Sequence, residues 1–194
     1  MNSDATKLQL VGCGIFHKEI EYLIKKNQWA MNSDFLPASL HINFKQLEHE
    51  LNCGLARHTN EHTIVFYGAC HPRMDDLLKQ AHTTRTKGQN CVAMLLGADE
   101  FNRELAQGAF FLLDDWALHW NDVIFKTFGS NLALIRDIFH DHHRYFLALR
   151  TPCSDDYSVR AEQISDMINL PLHWHDVGLE QLEETLLIAI QNAG

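Results

Sequence analysis

One stretch constrains this chain more than any other: Thr63-Ile64-Val65-Phe66-Tyr67-Gly68-Ala69-Cys70-His71-Pro72. A continuous run of β-branched and aromatic residues that stops at a glycine reads as a strand buried on both faces. Such a strand needs helices over both sides, which is the situation of a parallel sheet in an α/β protein. Gly68 allows a turn or a close backbone approach, and Pro72 suits the first turn of a following helix. Cys70 is therefore expected at the carboxyl end of a central parallel strand, where open α/β sheets place their ligands.

The rest of the chain repeats this grammar. Residues 8–12 read as a first strand running into Gly12-Cys13-Gly14, and Ile15, Ile20, Leu23 and Ile24 then keep helical spacing. The glycines suit an anion at a helix start, but they fall far short of a dinucleotide fingerprint. Residues 33–42 read as a short strand or an extended loop. Asn43 is placed to cap a helix whose stripe is Leu47, Leu51 and Leu55, with Cys53 off the stripe. A helix over 74–80 and a short strand within the polar segment 81–90 follow. Residues 91–96 fit strand or helix by periodicity. Their Ala, Met and Leu content and a cap at Asn90 favour a helix, with Cys91 in its first turn.

Beyond these come a helix over 99–107, a strand over 109–113 and a helical region over 116–143 broken at Gly129-Ser130. A strand over 145–149, a helix from the Ser154-Asp155-Asp156 cap to Ile168, a strand over 172–177 and a helix over 179–192 complete the chain. Strands alternating with helices predict an α/β fold: a single domain over 1–194, three-layered, with one mostly parallel, doubly wound, Rossmann-like sheet. At 194 residues and 46% hydrophobic content the chain can bury one such core. A net charge of −9 argues against nucleic acid as a partner, and no apolar run is long enough for a membrane span. Residues 1–7 are polar and lack a signal-peptide core, so a cytoplasmic location is expected. Five cysteines, an odd number, then read as thiols rather than a disulfide framework.

Thiolates bind metal or attack carbon, and Cys13, Cys70 and Cys91 each follow a predicted strand or open a helix. Pointed into one crevice, three thiolates with one open position make a catalytic zinc or a site-differentiated iron–sulfur cluster. Against this stands the fact that cysteines are often buried as small hydrophobes. Cys153 reads as a turn residue rather than a fourth ligand. His140 and His143 lie one helical turn apart, and His173 and His175 alternate along a strand, but solvated faces explain both pairs. Asp115, between Asp114 and Trp116 at a strand end, reads equally as a crevice carboxylate or a helix cap. No P-loop, Gly-x-Ser-x-Gly or His-Glu-x-x-His motif is present.

Val11-Gly12-Cys13-Gly14-Ile15-Phe16 with Glu19-Ile20, then Tyr67-Gly68-Ala69-Cys70, then Cys91-Val92-Ala93-Met94-Leu95-Leu96-Gly97 resemble the marker stretches of the prokaryotic family known as domain of unknown function 1638. The segment from Trp116 to Trp120 fits it too, and the resemblance runs from about Leu8 to Leu187. It implies that Cys13, Cys70 and Cys91 are the family's cysteines. It also implies a link to corrinoid-dependent methyltransferases and so to methylamine or one-carbon metabolism. The chain departs from the family's pattern at His71-Pro72-Arg73 and at Gln89-Asn90. The expectation is a metal-dependent enzyme, a transferase or lyase of small-molecule one-carbon or sulfur metabolism. Zinc or a [4Fe–4S] cluster would sit on Cys13, Cys70 and Cys91, with Asp115, His71 and Arg73 nearest for proton transfer or anion binding. The alternative is a non-catalytic accessory protein that handles a metal or corrinoid for a methyltransferase partner.

Overall fold

The computed structural model describes residues 8–58, 62–81 and 83–193. The polar residues 1–7 and His82, on which two of the expectations above touch, lie outside the described residues. In chain order the elements are β1 (Leu8–Cys13), α1 (His17–Lys26), β2 (Met31–Leu36), α2 (Phe44–Ala56), β3 (Thr63–Phe66), α3 (Met74–Gln80), β4 (Thr84–Arg85), α4 (Cys91–Leu96) and α5 (Ala98–Ala106). They continue as β5 (Ala109–Leu112), α6 (Asp114–Leu118), α7 (Trp120–Phe128), α8 (Leu132–His142), β6 (Tyr145–Arg150), α9 (Ser158–Ile168), β7 (Leu172–Asp176) and α10 (Glu180–Ala193). The fold is α/β, and every strand pairing is parallel.

The strands form two sheets, not the one continuous sheet expected. One has the order β2-β1-β3-β4 and the other β5-β6-β7. The reason is visible between β4 and β5, where two helices, α4 and α5, follow each other with no strand between them. The chain accordingly divides into two compact units, residues 1–95 with 180–194, and residues 96–179.

In the first unit the winding reverses after β2, so β1 lies between β2 and β3. Right-handed crossovers then carry α1 and α2 to opposite faces. The packing agrees. Gly54 of α2 lets that helix sit on Val11 of β1, while α1 is tied to α10 through Lys26 and Asn27, which both donate to Glu183. Asn43 caps α2 by accepting the Gln46 N–H, and Leu47 and Leu51 of its stripe are fully buried. The second unit packs its helices around Leu112, Trp120, Ile135, Phe139, Phe146 and Ile164. The buried Tyr157 hydroxyl there lies within hydrogen-bonding distance of the Leu112 and Leu149 carbonyls. Among the described residues no helix is long and apolar enough to cross a membrane.

Candidate metal centre

Parallel strands end at a common edge, so sheet order decides which loops share it. Where the strand order reverses, the loops leaving the two central strands part to opposite faces and open a crevice. That reversal falls between β1 and β3. Cys13 is the last residue of β1, and Cys70 lies in the loop that leaves β3 at Phe66.

Cys91 arrives from a third direction, as the first residue of α4. Asn90 starts that helix: its side chain accepts the Ala93 N–H at 2.8 Å and its carbonyl the Met94 N–H at 3.1 Å. The loop before it is laid directly on the loop after β3, where the Ala69 N–H donates to the Gln89 carbonyl at 2.8 Å. The approach is so close that a Cβ on Gly68 would stand 2.5 Å from the Asn90 Cα and 2.6 Å from the Gln89 oxygen. Gly12 plays the same part between β1 and β3, where a Cβ would meet the Cβ of Phe66 at 2.7 Å. Two glycines thus let three cysteine-bearing segments close up.

Tyr67 lies where those segments meet. Its side chain is 2% exposed and its hydroxyl has no hydrogen-bond partner among the described residues. Burial pushes its pKa far up, and Cys13, Cys70 and Cys91 all act on it in the same direction. Cys13 and Cys70 also act on Cys91, whose thiol burial already holds well above the ordinary value. Burial raises the Cys70 thiol as well, opposed by the Gly68 backbone and by the charge of Arg85. All three thiols are thus felt at the Tyr67 hydroxyl, and at neutral pH Cys70 and Cys91 carry their protons. None of the five cysteines is in a disulfide.

Two expected results follow from this environment. Alkylating reagents attack the thiolate, so Cys70 and Cys91 of metal-free protein should label slowly at neutral pH and faster in alkali, read by peptide mass spectrometry. Fast labelling of Cys91 that ignores pH would contradict its raised pKa. The same shifts act on stability, because a thiol whose folded pKa exceeds the unfolded value of about 8.5 binds its proton more tightly when folded. Their contribution is thus intact below that pH and is lost as pH rises above it and through the raised folded pKa. The second result concerns the orphaned phenol. A buried hydroxyl without a partner costs about 1–3 kcal/mol, so Tyr67→Phe should stabilise the metal-free protein. A gain of about 1 kcal/mol would raise Tm by about 2–4 °C in a chain of this size. A fall in Tm would mean that the hydroxyl already has a partner.

The other candidates are placed differently. His71 is buried, its Nδ1 accepts the Arg73 backbone N–H at 3.0 Å, and its Nε2, which then carries the proton, stands 3.7 Å from a Glu48 oxygen. Arg73 donates to both Glu48 oxygens, at 2.7 and 2.9 Å. Glu48 of α2 thus holds the pair that follows Cys70. Asp115 belongs to the second unit, where its carboxylate lies 3.5 Å from His119 Nδ1. Cys153 is in that unit too, in a turn where its N–H donates to the Thr151 hydroxyl. His140 lies 3.0 Å from the Ile168 carbonyl, and His143 packs edge-on against Phe110, its pKa lowered by burial. His173 stacks on Tyr145, and His175 lies 3.4 Å from Glu100.

The donor chemistry of the cysteine cluster fits a soft metal, since three sulfurs select zinc or iron–sulfur over hard cations. Among the described residues, no three Cys, His, Asp or Glu side chains stand close enough together to enclose an ion as they are. Two residues of the site escape a reading of the sequence by motif. Tyr67 could have been found as a tyrosine ending a buried strand, where its hydroxyl must find a partner. Arg85 sits in the polar stretch that reads as a short strand, with nothing in the spacing to mark it for the site.

One family model, described as Protein of unknown function (DUF1638), matches residues 35–186. Cys70 and Cys91 lie within the matched stretch and Cys13 precedes it. No curated protein and no solved structure matches the chain.

Proposed function

The chain belongs to the DUF1638 family, and we propose that its first unit is a metal-dependent enzyme centre with Cys13, Cys70 and Cys91 as ligands. The observation that carries this reading is that three thiols all act on one buried phenol, which has no partner among the described residues, beside the reversal of strand order. Zinc or a [4Fe–4S] cluster held by three thiolates keeps one position for substrate and would activate a thiol, water or heteroatom there. The chain's own residues supply the rest. The three cysteines give up their protons on loading, so that uptake is favoured by rising pH. Phe66 and its neighbours in β1 and β3 form a dry floor. The Tyr67 hydroxyl, buried and without a partner among the described residues, would serve as a hydrogen-bond donor to what binds there. Chemistry of this kind is transfer or elimination at a small molecule's heteroatom, in one-carbon or sulfur metabolism. Reduced thiols of this kind suit the cytoplasm.

Elemental analysis and an absorption spectrum of protein purified without oxygen test the reading. Stoichiometric zinc, or iron with a broad visible charge-transfer band, is the expected result. A protein that takes up neither metal, even on anaerobic reconstitution, would overturn it.

A further inference from the structure

The first unit also has an open cleft of about 730 Å³, lined by α3, β4 and the loop that leads to Cys91. That volume is within the range of about 300–1,000 Å³ usual for small-molecule sites. On a chain of net charge −9, this lining is basic. Lys79, Arg85 and Lys87 face one carboxylate, Asp75, a local balance of three positive charges against one negative.

Arg85 is the fixed element. Its side chain is only 21% exposed, its Nε donates to Asp75 at 2.8 Å, and its Nη1 donates to the Gly88 and Thr86 carbonyls at 2.9 and 3.3 Å. Among the described residues nothing accepts from Nη2. A guanidinium held through Nε and Nη1 presents the two N–H groups of Nη2 as a fixed donor to an anion, because the entropy of holding it has already been spent. Lys79 and Lys87 are exposed and pair with no described residue, as suits point charges that close on an anion. Gln89 adds an exposed amide. The cleft and the thiols share a wall. Gln89 lines the cleft and also accepts the Ala69 N–H beside Cys70, and the charge of Arg85 is felt at Cys70.

We propose that this cleft binds the phosphate group of a small phosphorylated molecule, anchored by Arg85, Lys79 and Lys87. Phosphate suits it better than a single carboxylate, since three cations meet three acceptor oxygens. That this ligand is the substrate of the neighbouring centre rests on the metal-centre reading; the binding itself does not.

The probe is pyrophosphate, titrated calorimetrically into the full chain, with metal content measured on the same samples. Saturable binding that weakens with added salt is expected. Arg85→Gln should weaken it about tenfold or more, and Lys79→Gln and Lys87→Gln severalfold each. The lysine variants matter because Arg85 also holds the 86–88 turn, whereas the lysines pair with no described residue. Wild-type protein that shows no binding by about 1 mM, or lysine variants that bind as tightly as wild type, would overturn the proposal. Succinate competing as well as pyrophosphate would overturn the assignment of phosphate. Pyrophosphate binding in protein that takes up no metal would uphold the cleft and defeat only the metal-centre reading.

Discussion

Gly68→Ala is expected to destabilise the protein by about 2–3 kcal/mol, the upper part of the usual cost of overpacking. The added methyl would lie 2.5 Å from the Asn90 Cα, 2.6 Å from the Gln89 oxygen and 2.9 Å from the Asn90 nitrogen. All three are backbone atoms, so no side chain can rotate away to relieve the contact. Relief requires the loop after β3 and the loop before α4 to separate, which breaks the Ala69–Gln89 hydrogen bond. At about 2–4 °C per kcal/mol, Tm should fall by roughly 4–12 °C in a thermal melt. The same movement draws Cys70 away from Cys91, so bound metal should fall together with stability. A variant within about 0.5 kcal/mol of wild type, the range of an ordinary surface change, would mean that the two loops do not touch backbone to backbone.

Much of the fold was legible because local chemistry decided it. Asn43 and Asn90 were readable as caps since each offers a side-chain oxygen to an early helical N–H, and both do so. The stripe Leu47-Leu51-Leu55 and the run Ile64-Val65-Phe66 carry their burial in their spacing. The division into two sheets was not legible, because alternation of elements does not say which strands exchange hydrogen bonds. Residues 116–143 read as one region broken at Gly129-Ser130, yet a further break near His119 separates α6 from α7. At the site, Cys13 and Cys70 could be placed because parallel strands end at one edge. Asp115 obeys the same grammar, a strand followed by a turn, but the strand it follows, as the second residue of α6, belongs to the other sheet. His71 and Arg73 adjoin Cys70 in sequence, and only the path of the turn shows that Glu48 takes them. What a side chain faces is a long-range fact, and adjacency along the chain carries little of it.

Cys13→Ala, Cys70→Ala and Cys91→Ala should each reduce metal affinity by about two to three orders of magnitude. The binding free energy of a thiolate-rich zinc site is about 10–16 kcal/mol, so one ligand of four carries about 2.5–4 kcal/mol. Cys53→Ala and Cys153→Ala should leave the metal in place, since Cys53 lies 3.8 Å from His49 on α2 and Cys153 sits in a turn of the second unit. These two keep the comparison honest, because loss of any cysteine removes some packing. Serine replacements sharpen it further. They preserve size but substitute a hard oxygen, so Cys91→Ser should fold as well as wild type and still lose the metal. Competition with a chelator of known affinity, followed by elemental analysis, measures all of them on one scale. Equal losses at positions 13, 70 and 91 identify three ligands of one ion. Retention of metal in any one of the three would remove that cysteine from the ligand set and reduce the centre to two thiolates. Equal losses in the Cys53 and Cys153 variants would show instead that the metal follows general stability rather than a built site.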